Sequence, residues 1–126
     1  MKASLLIVED HPVVLLAAEH WARNVGFEVR SARDRDAAIG ALAGEPTDLA
    51  IVDLVMPPGT PDIPNGLEVI RAIRERWPAT RIIACTAAND RPEFRDAAIE
   101  MGAADAVDKP LTVERLRAEF GRVANP

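Results

Sequence analysis

Residues 49–69 read LAIVDLVMPPGTPDIPNGLEV. Four apolar residues run unbroken into Asp53, as a strand buried on both faces of a parallel sheet would. Pro57, Pro58, Gly59, Pro61, Pro64 and Gly66 then mark a long connection. Leu67, Ile70, Ile73 and Trp77 recur at helical spacing until Pro78 stops them. The stretch is one strand–loop–helix unit, and it leaves a carboxylate at the solvent end of an apolar strand.

The same unit recurs along the chain. Ser4 to Val8 is a continuous apolar run, followed after Pro12 by Val14, Ala17, Ala18, Trp21 and Val25 at helical spacing, with Gly26 as a C-terminal cap. Phe27 to Ala32 reads as a second strand and Asp34 to Leu42 as a short helix, closed by Gly44. Asp48 to Asp53 is the third strand. Arg81 to Thr86 is the fourth, followed by a helix carrying Phe94, Ala97, Ala98 and Met101 and capped by Gly102. Ala104 to Asp108 is a fifth strand, and Val113, Leu116, Phe120 and Val123 mark a last helix. Five βα units in regular alternation predict a parallel sheet with helices on both faces. Residues 1–126 read as one domain with a single core.

Composition narrows the function. With 48% hydrophobic and 28% charged residues the chain should be soluble and globular. The net charge of −5 disfavours nucleic acid as a partner and suits cations and basic surfaces. Cys85 is the single cysteine, so no internal disulfide forms and a reducing cytoplasm is expected. No apolar run approaches a membrane span, and SLLIV is too short for a signal peptide.

In an open α/β sheet, ligands bind beyond the carboxyl ends of the strands. At those ends stand Glu9 and Asp10, Asp53, Thr86, and Lys109 followed by Pro110. Three neighbouring carboxylates repel one another and raise each other's pKa. A hard cation resolves the conflict, and an oxygen-only site points to Mg²⁺, with Mn²⁺ as a substitute. A carboxylate beside a cation and a lysine suits phosphoryl transfer, with Asp53 attacking phosphorus and Thr86 donating to a phosphoryl oxygen.

The segments IVED (7–10), IVDLVMP (51–57), GLEVIRAIR (66–74), IIACTAA (82–88) and GAADAVDKPL (102–111) resemble, in order, those of the receiver domain of two-component response regulators. The resemblance covers essentially the whole chain and points to a stand-alone receiver. It implies a flavodoxin-like (βα)5 fold with strand order 2-1-3-4-5. It implies that Asp53 takes a phosphoryl group from a histidine kinase or a histidine phosphotransfer protein. It implies that Asp10, Asp53 and the Val55 carbonyl hold Mg²⁺, with Glu9 behind them or acting through water. Thr86 and Lys109 would bind the phosphoryl group, Thr86 as the switch hydroxyl, and Pro110 would follow a cis peptide. A downstream protein would dock on the face of the fourth helix, fifth strand and fifth helix, which Arg91, Phe94 and Arg95 open.

Two positions depart from the pattern. Receivers usually carry Tyr or Phe where Ala106 stands, and alanine has no rotamer to turn. Gly66 also follows Asp53 by thirteen residues, where the family commonly uses about eight, so PGTPDIPN holds an insertion. Ala106 supports an alternative reading as a phosphate sink or shuttle. A Mg²⁺-dependent phosphatase with an Asp nucleophile is weaker, because no DxD-like pattern ends the first strand. A nucleotide-binding protein is weaker still, because no glycine-rich loop follows that strand.

Other residues have plainer readings. His11 follows the acidic pair, but Mg²⁺ sites do not recruit imidazole, so solvent at the pocket rim suits it better. Cys85 reads as a buried strand residue, and Trp21 and Trp77 as core residues on apolar helix stripes. The prolines of the long loop stiffen it, and Asp62 within it is a remote candidate for the metal.

Overall fold

The computed structural model describes residues 3–56, 65–87 and 90–124. The PGTPDIPN insertion, Asp62 included, falls almost wholly outside them. The elements run β1 (Ser4–Val8), α1 (Pro12–Val25), β2 (Glu28–Ala32), α2 (Arg35–Leu42), β3 (Leu49–Asp53), α3 (Gly66–Arg76), β4 (Arg81–Thr86), α4 (Glu93–Met101), β5 (Asp105–Asp108) and α5 (Val113–Ala124). The strands form one parallel sheet in the order β2-β1-β3-β4-β5. The alternation and the strand order are as expected. Strands β2, β3 and β5 each begin one residue later than the apolar runs suggested.

The sheet divides its side chains by the two-residue period of a strand. Leu5 and Ile7, Leu49 and Ile51, and Ile83 and Cys85 face one way, into a core with Leu15 and Ala22 of α1 and Leu116 of α5. Leu6 and Val8, Ala50 and Val52, and Ile82 and Ala84 face the other way, against Leu42 of α2, Ile70 and Ile73 of α3, and Phe94 and Ala98 of α4. Each fully buried aliphatic side chain contributes about 1.5–3 kcal/mol. Strands β1, β3 and β4 read as unbroken apolar runs because both of their faces are covered, whereas the edge strands β2 and β5 carry polar residues.

Helix α1 corrects part of the sequence reading. Its inward face is Leu15 and Ala22, while Val14, Trp21, Val13 and Leu16 are exposed, Trp21 at 48%. The segment VVLLAA is apolar on every side, so spacing alone does not select the buried stripe. Trp77, in contrast, packs against the core. The helix is capped by His11, whose Nδ1 accepts from the Val14 N–H at 3.4 Å, with Pro12 in the first turn. Glu9 and Asp10 are therefore spared from capping.

Glycine does specific work at two places. Gly102 ends α4 with φ +122°, a conformation that disfavours any side chain. Gly66 opens α3 directly against the main chain of Asp53 and Leu54, and its N–H donates to the Leu54 carbonyl at 2.9 Å. Among the described residues no helix is long and apolar enough to cross a membrane.

Candidate functional site

The site assembles where β1, β3 and β5 end. Strand β3 delivers Asp53 on the same side as Leu49 and Ile51, and its carboxylate is buried. The Val55 N–H reaches back to Asp53 Oδ1 at 3.4 Å, so the chain curls around the carboxylate on leaving the strand. Asn65 then fastens the return: its Oδ1 accepts from the Met56 N–H at 2.7 Å, and its amide group donates to the Met56 carbonyl. With Gly66 pressed against Asp53, the loop's two ends are pinned at the site.

Lys109 lies between two acids. Its Nζ is 2.9 Å from Asp53 Oδ2 and 3.3 Å from Glu9 Oε1. The peptide joining Lys109 to Pro110 is cis, as the resemblance implied. The main-chain N–H of Lys109 donates to the Thr86 carbonyl at 2.8 Å, which fixes the end of β5 against β4. Burial by itself would lower the lysine's pKa, but its hydrogen bond to Asp53 and the charges of Asp53 and Glu9 raise it overall. The ammonium is therefore held charged.

Glu9 is the strained member. Burial first, and then the neighbouring Asp53, push its pKa up to about 7, although Lys109 pulls the other way. Its Oε2 is buried without a hydrogen-bond partner. An unpartnered buried oxygen next to a second carboxylate fits a hard cation that takes few protein oxygens and keeps its waters. Asp10 is half-buried at the edge of this group, and its main-chain carbonyl accepts from Arg33 Nε at 3.2 Å. Among the described residues no three His, Cys, Asp or Glu side chains converge as a ready metal cluster. The close group is thus Glu9, Asp53 and Lys109. Beneath it lies a small cavity of about 50 Å³ lined by Ile7, Ile51, Cys85 and Leu111 among others. Burial raises the Cys85 thiol to about 12, which leaves it an inert apolar filler.

Thr86 occupies the other side of the sheet. It follows Cys85, the residue in register with Asp53, so strand alternation turns it toward α4. Its Oγ1 donates toward Asp108 Oδ1 at 3.2 Å and accepts from Arg95 Nη1 at 3.2 Å. Ala106 is buried on that same side among Phe94, Ala98 and Ala103. Arg95 also donates to the Ala106 carbonyl at 2.7 Å and to Asp108 Oδ1 at 2.6 Å.

Two features escaped the sequence reading. One is this bridging role of Arg95, a polar helix residue whose partners only the fold supplies. The other is Glu119 on α5, 1% exposed yet within 2.7 Å of Arg81 Nε and 2.9 Å of Arg115 Nη2. Its position three residues after Leu116 and four after Arg115, one turn along the same face, was the available signal.

Residues 5–120 match the model of the response regulator receiver domain family. The chain is 31% identical to the probable transcriptional regulatory protein TcrX of Mycobacterium tuberculosis, over 94% of this chain and 50% of TcrX. It is 33% identical to the response regulator protein PilR of Pseudomonas aeruginosa, over 96% of this chain and 26% of PilR. It therefore spans half or less of these two relatives. Its fold superposes on the chemotaxis response regulator CheY4 of Vibrio cholerae with a TM-score of 0.80 at 26% identity, covering 98% of this chain and 99% of that one. A response regulator from Thermotoga maritima, 23% identical, shares the fold with a TM-score of 0.81 over the full length of both chains.

Proposed function

The chain belongs to the response regulator receiver domain family of two-component systems, and from that premise we propose that Asp53 is its phosphoacceptor. One observation carries the reading: a lysine ammonium lodged between two buried carboxylates at the carboxyl edge of a parallel sheet. In the reaction an Asp53 carboxylate oxygen attacks the phosphorus of a phosphohistidine. A P–O bond forms as the P–N bond breaks, and the imidazole leaves with the electron pair of that bond. Lys109, already bonded to Asp53, shifts to the incoming phosphoryl oxygens and offsets their charge. Asp53, Asp10 and the Val55 carbonyl would hold Mg²⁺, with Glu9 beside it. When bound, the ion would supply further charge neutralisation at the transferring group. The resulting acyl phosphate is lost again to water, which resets the domain and does not make it an enzyme on outside substrates.

The donor is a histidine kinase or a histidine phosphotransfer protein of the cytoplasm. Val13, Leu16 and Trp21 on α1 form an exposed apolar strip on a helix that starts beside Glu9, and this strip suits the donor's docking surface. The output is a changed surface on α4, β5 and α5, read by a downstream protein. Ala106 favours a second reading, that of a phosphate sink whose conformational output is weak.

The test is incubation with Mg²⁺ and acetyl phosphate followed by intact-mass measurement. Wild type gains one phosphoryl group and Asp53→Asn gains none. An unchanged adduct in Asp53→Asn, or none in the wild type, overturns the reading.

A further inference from the structure

We propose that Arg95 of α4 does the work left undone at Ala106: it is a positioning residue that holds the Thr86 hydroxyl away from Asp53 until phosphorylation draws it across. The inference rests on Asp53 being the phosphoacceptor. Asp53 and Thr86 sit on opposite sides of the sheet, because Thr86 is one residue past the register partner of Asp53. A hydroxyl on the far side serves a phosphoryl group only if it is released to turn. That hydroxyl is engaged three ways. Arg95 Nη1 donates to it at 3.2 Å, it donates toward Asp108 Oδ1 at 3.2 Å, and the Val107 carbonyl lies at the edge of reach at 3.5 Å.

Arg95 is itself well anchored. Its guanidinium bridges Asp108 at 2.6 Å, Thr86 at 3.2 Å and the Ala106 carbonyl at 2.7 Å. The fork geometry suits such a bridge, since planar donors meet several acceptors at once. The third anchor depends on the small side chain at 106. Ala106 leaves the β5 main chain approachable from α4, and the guanidinium takes up that approach. The cluster lines an open pocket of about 190 Å³ with Ala87, Asp90 and Pro92.

The competition is therefore between two charged partners for one hydroxyl. A phosphoryl group on Asp53 presents acceptor oxygens, and a charge-assisted bond to them outweighs the long bond to Asp108. When Thr86 turns, its bond from Arg95 breaks and the α4–β5 surface displays an altered Arg95–Asp108 pair. The signal passes to α4 by hydrogen-bond exchange, with no ring rotation.

The experiment measures the affinity of wild type, Arg95→Ala, Asp108→Asn, Thr86→Val and Arg95→Ala/Thr86→Val for beryllium fluoride in the presence of Mg²⁺. Each is also tested for an acetyl phosphate adduct. Arg95→Ala should bind the phosphoryl mimic on the order of tenfold more tightly, the worth of one hydrogen bond to a charged group. Asp108→Asn should shift the affinity the same way by a smaller factor. In the Thr86→Val background, removing Arg95 should change nothing. In the wild type, the Arg95 Nε–H resonance should move on saturation. An equal gain with and without Thr86, no gain in either, or an unmoved Arg95 resonance overturns the inference while the adduct remains. Loss of the adduct and of mimic binding in the wild type overturns the phosphoacceptor reading along with it.

Discussion

Replacing Gly66 by alanine should cost about 1–4 kcal/mol of stability, through one misfitted methyl group. A Cβ at this position would lie 2.6 Å from the Leu54 Cα and 2.9 Å from the Asp53 carbonyl carbon, and closer still to the Asp53 carbonyl oxygen. All three are main-chain atoms, so no side chain can rotate to make room. Helix α3 must back away from the end of β3. Overpacking of this kind costs about 1–3 kcal/mol. The Gly66 N–H to Leu54 carbonyl bond, 2.9 Å long, is stretched as well, at about 1 kcal/mol. Alanine's better helix propensity returns up to about 1 kcal/mol. Gly40 in α2 is the control, because a Cβ there meets nothing within 4 Å. Gly40→Ala should be neutral or stabilising by up to about 1 kcal/mol. Urea unfolding of the two variants reads the contrast. Gly66→Ala within about 0.5 kcal/mol of wild type would refute the argument that α3 is seated against the Asp53 main chain.

Other consequences are as direct. Glu9 holds its proton more tightly in the folded chain, with a pKa of about 7 against an ordinary 4.5. The folded state therefore binds more protons in that window. The contribution of Glu9 to metal-free stability should be fully present below about pH 4.5 and fall by on the order of 3 kcal/mol as pH rises through 7. Urea titrations of wild type and Glu9→Gln check this, since the glutamine variant should lose the slope. Glu119→Gln should destabilise by about 3 kcal/mol, because it uncharges the buried hub between Arg81 and Arg115; thermal unfolding reads it. Leu16→Ser with Trp21→Ser should leave stability within about 0.5 kcal/mol, as both side chains are exposed. That pair should slow transfer from a phosphorylated histidine donor while leaving the acetyl phosphate reaction unchanged.

Much of this was legible in the sequence, for a physical reason. Strands covered on both sides must be apolar throughout, so LLIV, LAIV and IIAC announce themselves. The residue just past LLIV and LAIV then lies at the carboxyl edge of the sheet, which places Glu9 and Asp53 side by side, and Lys109 joins them from the end of the short strand β5. What stayed hidden depended on faces. VVLLAA in α1 offers apolar residues in every direction, so spacing alone assigns Trp21 to the core, although the structure exposes it. Strand alternation across β4 separates Thr86 from Asp53, and only the packing of α4 over β5 brings Arg95 to that hydroxyl. Glu119 resembles an ordinary surface acid in the sequence, because Arg81, distant along the chain, joins Arg115 one turn back to make its burial tolerable.

The central claim is that Asp53 carries the phosphoryl group. Treating the acetyl phosphate-loaded protein with borohydride reduces an acyl phosphate to the alcohol, and peptide mapping then locates it. The account predicts homoserine at position 53 alone. Reduction at Glu9 or Asp10, or no reduced residue in protein that carries the adduct, would contradict it.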